Sequence, residues 1–180
     1  MIVFKPLTIM AARPTPPTPS ISSVTIGNQI WSTVYVDPTI SGVQSEHTET
    51  LHGQTIHYYT YAQSQNMTFQ DGWRLPTYED VSTLRSYFYD RGLGGESLIS
   101  TLDNGTDVYQ LNLFITGIWS KSSSSLLNTT GAFCTIAYYD LVERVYAFGF
   151  RTTHNNIYGA NINSYLEDRS VPIRLVKDIT

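Results

Sequence analysis

The amino-acid sequence predicts an α+β fold, with a mixed, mostly antiparallel β core, one main helix over about residues 77–91, and an extended N-terminal arm. Short β-favouring segments bounded by turn residues recur along the chain, and one strong helical periodicity lies among them. The segment before the first of these strands is rich in proline. At 180 residues with 41% hydrophobic content, the chain is long and apolar enough for one domain with a buried core.

The arm is predicted over residues 1–23. Residues 1–10 favour a β-strand, and the proline-rich residues 14–19 should form an extended, semi-rigid spacer, because proline fixes φ and lacks an N–H. We expect the arm to add a strand to a partner protein or to a neighbouring copy, which also predicts a homo-oligomer. An undocked terminus is the alternative. The residues expected to dock are Ile2, Val3, Phe4, Leu7 and Ile9.

Residues 24–180 form the predicted domain, which opens with a hairpin. Residues 24–26 and 29–31 favour strands, and Gly27 with Asn28 suits the tight turn between them. Further strands are expected over residues 56–61, 108–119, 132–139, 145–151 and 171–176, short helical turns over 62–66 and 94–102, and loops over 39–53, 121–131 and 151–165.

The main helix carries start and stop signals. Thr77 is a good N-cap, and Asp80 three residues later completes a capping-box pattern with negative charge in the first turn. Gly92 suits the C-terminal cap. Pro76 before the helix keeps its neighbour extended, so Trp73 should be anchored by a straight segment. The apolar face of the helix is predicted to consist of Val81, Leu84, Tyr87 and Phe88.

Four segments follow one another in the order and rough spacing of a known family: Ile26-Gly27-Asn28-Gln29-Ile30-Trp31, Tyr59-Thr60-Tyr61-Ala62, Gly72-Trp73-Arg74-Leu75-Pro76 and Ser170-Val171-Pro172-Ile173-Arg174-Leu175-Val176-Lys177-Asp178. On these segments, over about residues 24–178, the chain resembles the Fibrobacter succinogenes major paralogous (FISUMP) domain of the C-type-lectin-like fold group. The resemblance implies a C-type-lectin-like fold for residues 24–180.

The chain departs from that family at one implied disulfide. The family often has a cysteine before its Gly-Trp and another in its closing strand, and the matching positions here are near the apolar Phe69 and Leu175. A hydrophobic contact in place of a disulfide suits assembly in a reducing cytoplasm better than export. Residues 1–23 lie outside the family pattern, which suggests an added attachment arm.

Composition argues against several functional classes. The net charge of −4 disfavours nucleic-acid binding, which needs clustered Lys and Arg. No apolar run in the sequence is long enough to span a bilayer, so no membrane insertion is expected. Lys5 and Pro6 interrupt the first apolar residues, which makes them a poor signal peptide. Cys134, the only cysteine, is expected to be a buried, inert thiol.

No catalytic residue, metal ligand set or cofactor is predicted. His47, His52 and His57 recur at a spacing that suits neither one helix face nor one strand face, so a solvated loop is favoured over a metal site. Asp37-Pro38-Thr39 is only a weak echo of the calcium-binding motif of lectins with this fold. We expect Trp31, Trp73 and Trp119 to pack in the core rather than to stack on sugars.

Within the predicted loop region 151–165, residues 152–165 are the candidate ligand-binding segment. Tyr and Asn give contact area and adaptable hydrogen bonds at low entropic cost, as in antibody paratopes. An ordinary Asn-rich turn region is the alternative. The candidate residues are His154, Asn155, Asn156, Tyr158, Asn161, Asn163 and Tyr165.

These observations predict a non-enzymatic structural protein of a phage virion: a capsid decoration, a head fibre or a tail appendage. Its arm would bind other virion proteins after assembly in the host cytoplasm. Its lectin-like domain would be displayed toward a glycan or protein of the host surface. The alternative is a bacterial cell-surface adhesin or carbohydrate-binding module.

Overall fold

The structure, a computed structural model, describes residues 20–127, 132–139, 144–150, 158–161 and 169–179, with side chains over 20–125 and 169–179. The described residues form an α+β fold with antiparallel sheets and few helices, which confirms the predicted fold class at this level. Within them, no helix has both the length and the apolar character that crossing a bilayer requires.

Three antiparallel sheets contain the described strands, in the orders β1-β2-β11, β3-β4-β10-β5-β6 and β7-β8-β9. The first sheet joins the start of the domain to its end. The strands are β1 (Ser23–Ile26), β2 (Gln29–Ser32), β3 (His47–Leu51), β4 (Gln54–Thr60), β5 (Ile118–Ser120), β6 (Ser125–Leu127), β7 (Ala132–Tyr139), β8 (Arg144–Phe150), β9 (Tyr158–Asn161), β10 (Arg169–Val171) and β11 (Val176–Asp178).

The predicted opening hairpin is confirmed. β1 pairs with β2 from Ser23 opposite Ser32 to Ile26 opposite Gln29, and Gly27 in the turn has a φ of 62°. Glycine tolerates this left-handed conformation because it has no Cβ. On its other side β2 pairs with β11, so the closing strand lies against the first hairpin.

The main helix, α3 (Tyr78–Tyr89), follows two one-turn helices, α1 (Pro38–Ser41) and α2 (Tyr61–Ser64). Its predicted capping box is confirmed, since Thr77 and Asp80 cap each other's backbone N–H. After the helix Leu93 N donates to Phe88 O and Gly92 N donates to Tyr89 O, each at 3.0 Å. With Gly92 at φ 65°, these two bonds form a Schellman motif, so Gly92 ends the helix as predicted.

Two predictions about strands were wrong. The predicted closing strand over 171–176 is split: β10 and β11 belong to different sheets, and the extended residues 172–175 connect them. Strands were predicted over 108–119 around Gly117, but most of this region is irregular and only β5 at its end is a strand. Gln110 and Asn112 adopt positive φ there, which strand geometry does not allow.

Three predicted loops contain regular elements. The segment 39–53 includes the end of α1 and all of β3, the segment 121–131 includes β6, and the segment 151–165 includes β9. α1 forms because Asp37 caps it and Pro38 occupies its first turn. β3 was not predicted, because its half-buried and exposed residues alternate but are mostly polar, so the sequence shows no hydrophobic alternation.

The described residues bury two hydrophobic clusters. The first lies around α3 and includes Trp31, Tyr58 and three of the four predicted helix residues, Val81, Leu84 and Phe88, while Tyr87 packs at its margin. The second cluster lies under the closing segment. It consists of Val36, Tyr59, Met67, Trp73, Ile118, Val171, Ile173 and Leu175, with Ile21 and Phe69 among the partly buried side chains against it.

Candidate functional site

The predicted docking residues Ile2, Val3, Phe4, Leu7 and Ile9 lie outside the described residues. The structure does describe where the arm joins the domain. Ile21 packs against the second hydrophobic cluster, and Ser22 O accepts a hydrogen bond of 2.8 Å from Thr33 N. The domain is therefore anchored from its first described residues onward.

Of the predicted ligand-binding residues, the structure describes Tyr158 and Asn161, as backbone. His154, Asn155, Asn156, Asn163 and Tyr165 lie outside the described residues. Tyr158 begins β9 opposite Gly149, and Asn161 ends it opposite Tyr146. The candidate segment is thus interrupted by a strand of four residues, rather than being one continuous loop.

This strand divides the candidate residues into two groups. The chain from β8 reaches β9 at Tyr158, and the chain toward β10 leaves it at Asn161. These ends are separated by about 10 Å, since a strand rises about 3.3 Å per residue. Residues 154–156 and residues 163–165 therefore attach at opposite ends of β9.

The predicted solvated loop is correct for His52 but wrong for His47 and His57, which are half-buried strand residues, and His154 lies outside the described residues. His47 and His57 are in the adjacent strands β3 and β4, one register position apart, so they belong to opposite faces. His52 occupies the turn between these strands, and its Nε2 lies 2.8 Å from Asp103 Oδ1. Within the described residues, no group of three His, Cys, Asp or Glu side chains is placed to hold a metal ion.

Ser45 and Glu46, which lead into β3, and His47, its first residue, each contact a different neighbour. Ser45 Oγ lies 3.0 Å from His57 Nδ1, and Glu46 Oε1 lies 3.0 Å from Lys121 Nζ. His47 stacks on Trp119 with 3.5 Å between ring centroids and an interplanar angle of 5°. The Nε2 of His47 is also 2.8 Å from Glu49 Oε1. Sequence analysis missed this arrangement because the partners meet only when β3, β4 and β5 form one sheet.

Trp119 therefore differs from the other two tryptophans. Trp31 is 1% exposed and Trp73 is 7% exposed, which confirms core packing for both. Trp119 is half-buried and packs at the margin of the first cluster, with His47 covering one face of its ring.

Arg74 is the centre of a polar network at the start of α3. Its guanidinium binds the Asp80 carboxylate through two hydrogen bonds, one of them 2.9 Å from Nη2 to Oδ1. Nη2 also lies 3.0 Å from Asp178 Oδ1 in β11. The Arg74 backbone forms an antiparallel bridge with Val176, so the segment before the helix is straight and anchored, as predicted.

The Asp80 carboxylate also accepts hydrogen bonds from two residues other than Arg74. Thr77 N donates to Asp80 Oδ2 at 2.7 Å, and Gln29 Nε2 donates to Oδ1 at 3.2 Å. Burial alone raises the pKa of Asp80, but the hydrogen bonds from Arg74 and Thr77 outweigh burial and hold the pKa below its usual value. The network connects β2, β11, the Gly72–Pro76 motif and α3 at one place.

Asp37 serves as a helix cap. Its Oδ1 accepts hydrogen bonds from Thr39 N at 2.7 Å, Thr39 Oγ1 at 2.6 Å and Ile40 N at 3.0 Å. These contacts give Asp37-Pro38-Thr39 a local structural role at the start of α1.

Arg174 is a second arginine that the sequence analysis did not single out. It is 1% exposed, and its guanidinium lies 3.8 Å from the centroid of the Tyr35 ring. Nη1 donates to Ser32 O at 3.3 Å and Nη2 donates to Asn112 O at 2.7 Å. A buried cation held by a ring face and by carbonyls joins the closing segment to the irregular region around residue 112.

Comparisons of the chain with protein-family models, with curated proteins and with solved structures gave no match.

Proposed function

We propose that the chain is a non-enzymatic structural protein of a phage virion, bound to the particle through its N-terminal arm. The observation that carries the proposal is the order of segments at the N-terminus. An apolar, β-favouring segment and a proline-rich spacer precede a domain whose packing already begins at Ile21. An apolar segment that a proline-rich spacer separates in sequence from the domain is suited to strand addition on another protein.

Residues 24–180 are proposed to have a C-type-lectin-like fold of the FISUMP type. The Arg74 network supports this proposal, because it brings together three of the four segments on which the resemblance is based. The positions of the family's two cysteines support it as well. Leu175 is a buried member of the second hydrophobic cluster, and Phe69 is a partly buried side chain packed against the same cluster.

The displayed part of the protein is proposed to face a glycan or protein of the host surface. Support comes from the Tyr- and Asn-rich composition of the sequence on both sides of β9. Other virion proteins would be the partners of the arm, and the copies would form a homo-oligomer.

Deletion of residues 1–20 tests the proposed role of the arm. The measurement is whether the truncated chain is still found in purified particles of the phage that encodes it. We expect the truncated chain to keep its circular dichroism spectrum and unfolding temperature but to be absent from purified particles. A second variant keeps the full length of the chain and carries Ile2→Ser, Phe4→Ser and Leu7→Ser. It should also be absent from purified particles. Normal incorporation of both variants would contradict the proposal. Glycan binding by the full chain, without association with particles, would support the adhesin instead.

A further inference from the structure

β3 lies at the edge of the five-stranded sheet among the described residues. Within the described part of the chain, it pairs with β4 and with no other strand. Its five residues include the exposed Thr48 and Thr50, and its register with β4 continues without a bulge. Proteins usually protect such an edge with charged side chains, proline or a bulge, and β3 itself contains neither proline nor lysine. Among the described residues, no strand pairs with its outer backbone groups.

The sequence of β3 is complementary to itself in one antiparallel register. A two-fold axis through Thr48 places Thr48 opposite Thr48 of the second copy. The same axis places His47 opposite the second copy's Glu49, and Glu49 opposite the second copy's His47. Cross-strand pairs of threonines and pairs of an imidazole with a carboxylate both stabilise antiparallel sheets.

Two other registers, with the axis through Glu49 or through Thr50, lack this complementarity. An axis through Glu49 would bring two glutamates directly opposite each other, which destabilises strand pairing. An axis through Thr50 would place Glu49 opposite Leu51, and the carboxylate would lose water without gaining a donor. Charge complementarity therefore favours the axis through Thr48 over both of these.

The side chains that would meet are already ordered. His47 is fixed by its stack on Trp119, and its Nε2 is 2.8 Å from Glu49 Oε1 on the same side of β3. Only 23% of the His47 side chain and 35% of the Glu49 side chain are exposed, so little side-chain freedom remains to be lost on association.

We propose that β3 is a self-association surface, through which two copies of the chain pair in antiparallel fashion about a two-fold axis at Thr48. The two five-stranded sheets then become one continuous antiparallel sheet. This surface is independent of the N-terminal arm and of the proposed virion role, because every residue that forms it lies between Ser45 and Leu51 or directly beneath them.

Site-specific disulfide formation tests the register. The full chain carries Thr48→Cys or, as the matched control, Thr50→Cys, each together with Cys134→Ser. Thr48→Cys should give a disulfide-linked dimer on mild oxidation, since opposed residues of an antiparallel pair lie about 5 Å apart. The two copies of Thr50→Cys should not crosslink, because they are separated by roughly 13 Å along the strands, beyond the reach of about 7 Å for a disulfide. Crosslinking at position 50 instead of 48, or at neither, overturns the proposal.

Charge exchange tests the association itself by sedimentation equilibrium. The unaltered chain should sediment as a dimer. His47→Glu puts glutamates opposite glutamates and should weaken dimerisation at least tenfold. Adding Glu49→His restores opposite partners across the axis and should recover most of the loss, which a purely local effect on the Trp119 stack would not do. A chain that stays monomeric at its highest soluble concentration, or a double variant as weak as the single one, overturns the proposal.

Discussion

Asp80 has two roles at the start of α3. It closes the capping box with Thr77, and it receives the guanidinium of Arg74, although its side chain is only 8% exposed. The first role follows from spacing within four residues and was predicted from the sequence. The second was not predicted, because a pairing of Arg74 with Asp80 depends on how the segment before the helix is held against Val176.

The Asp80 carboxylate should make the stability of the fold depend on pH. Its pKa is lowered in the folded state, so its contribution is present above the unfolded value, about 3.9, and is lost as pH falls through the folded value. We expect Asp80→Asn to lower the free energy of unfolding by roughly 2 kcal/mol at pH 7, because charged hydrogen bonds are lost. The difference from the unaltered chain should shrink below about pH 4.

Urea unfolding at pH 7 and pH 3 measures this dependence. The control is Asp178→Asn, whose side chain is 74% exposed and whose ion pair with Arg74 should matter by less than about 1 kcal/mol. A difference between Asp80→Asn and the unaltered chain that is the same at both pH values would show that the carboxylate charge is not what stabilises the network.

At the scale of elements, the β1–β2 hairpin depends on two features of Gly27: its turn conformation and its close contact with α3. Gly27 has a φ of 62°, and a Cβ at this position would lie 2.8 Å from Cδ2 of Tyr87 in α3. The turn requirement is visible in the sequence, where glycine and asparagine separate two β-favouring segments. The contact with Tyr87 is visible only once hairpin and helix are packed.

Gly27→Ala and Gly42→Ala separate these two effects. Gly42 has a φ of 70°, and a Cβ at this position would meet nothing within 4 Å, so Gly42→Ala should cost only the left-handed backbone term, about 1 kcal/mol. Gly27→Ala should cost roughly 1–3 kcal/mol more, because the Tyr87 ring must move. Urea unfolding measures the loss of unfolding free energy for both variants. Equal losses would mean that the Tyr87 ring moves aside at no cost in free energy.

At the scale of the whole molecule, the two hydrophobic clusters are closed by residues from the end of the chain. Ile173 and Leu175 complete the second cluster, and Val176 belongs to the first. Truncation of the closing segment therefore opens both clusters, although the first strand of the domain is more than a hundred residues away in sequence.

A designed disulfide tests the proposed family relationship at this scale. Phe69→Cys with Leu175→Cys, in a Cys134→Ser background, should form a disulfide on oxidation if these positions replace the family's cysteine pair. It would close a loop of about 100 residues, so the oxidised form should exceed its reduced form in stability by about 4 kcal/mol. Thiol titration and thermal unfolding measure both effects. Phe69→Cys with Val171→Cys is the control, and equal disulfide formation in the two pairs would remove this support for the resemblance.

The sequence by itself determined the features that depend on neighbouring residues: the α+β class, the opening hairpin, and α3 with its capping box and glycine end. Hydrophobic periodicity, caps and turn residues specify these locally. Only the tertiary structure decided which residues meet across long separations. It divided the closing segment between two sheets, brought Arg74 to Asp178 across 104 positions, and, among the described residues, placed β3 at the edge of its sheet with His47 stacked on Trp119. The physical reason is that strand pairing and buried polar contacts depend on partners distant in sequence, and local patterns do not specify those partners.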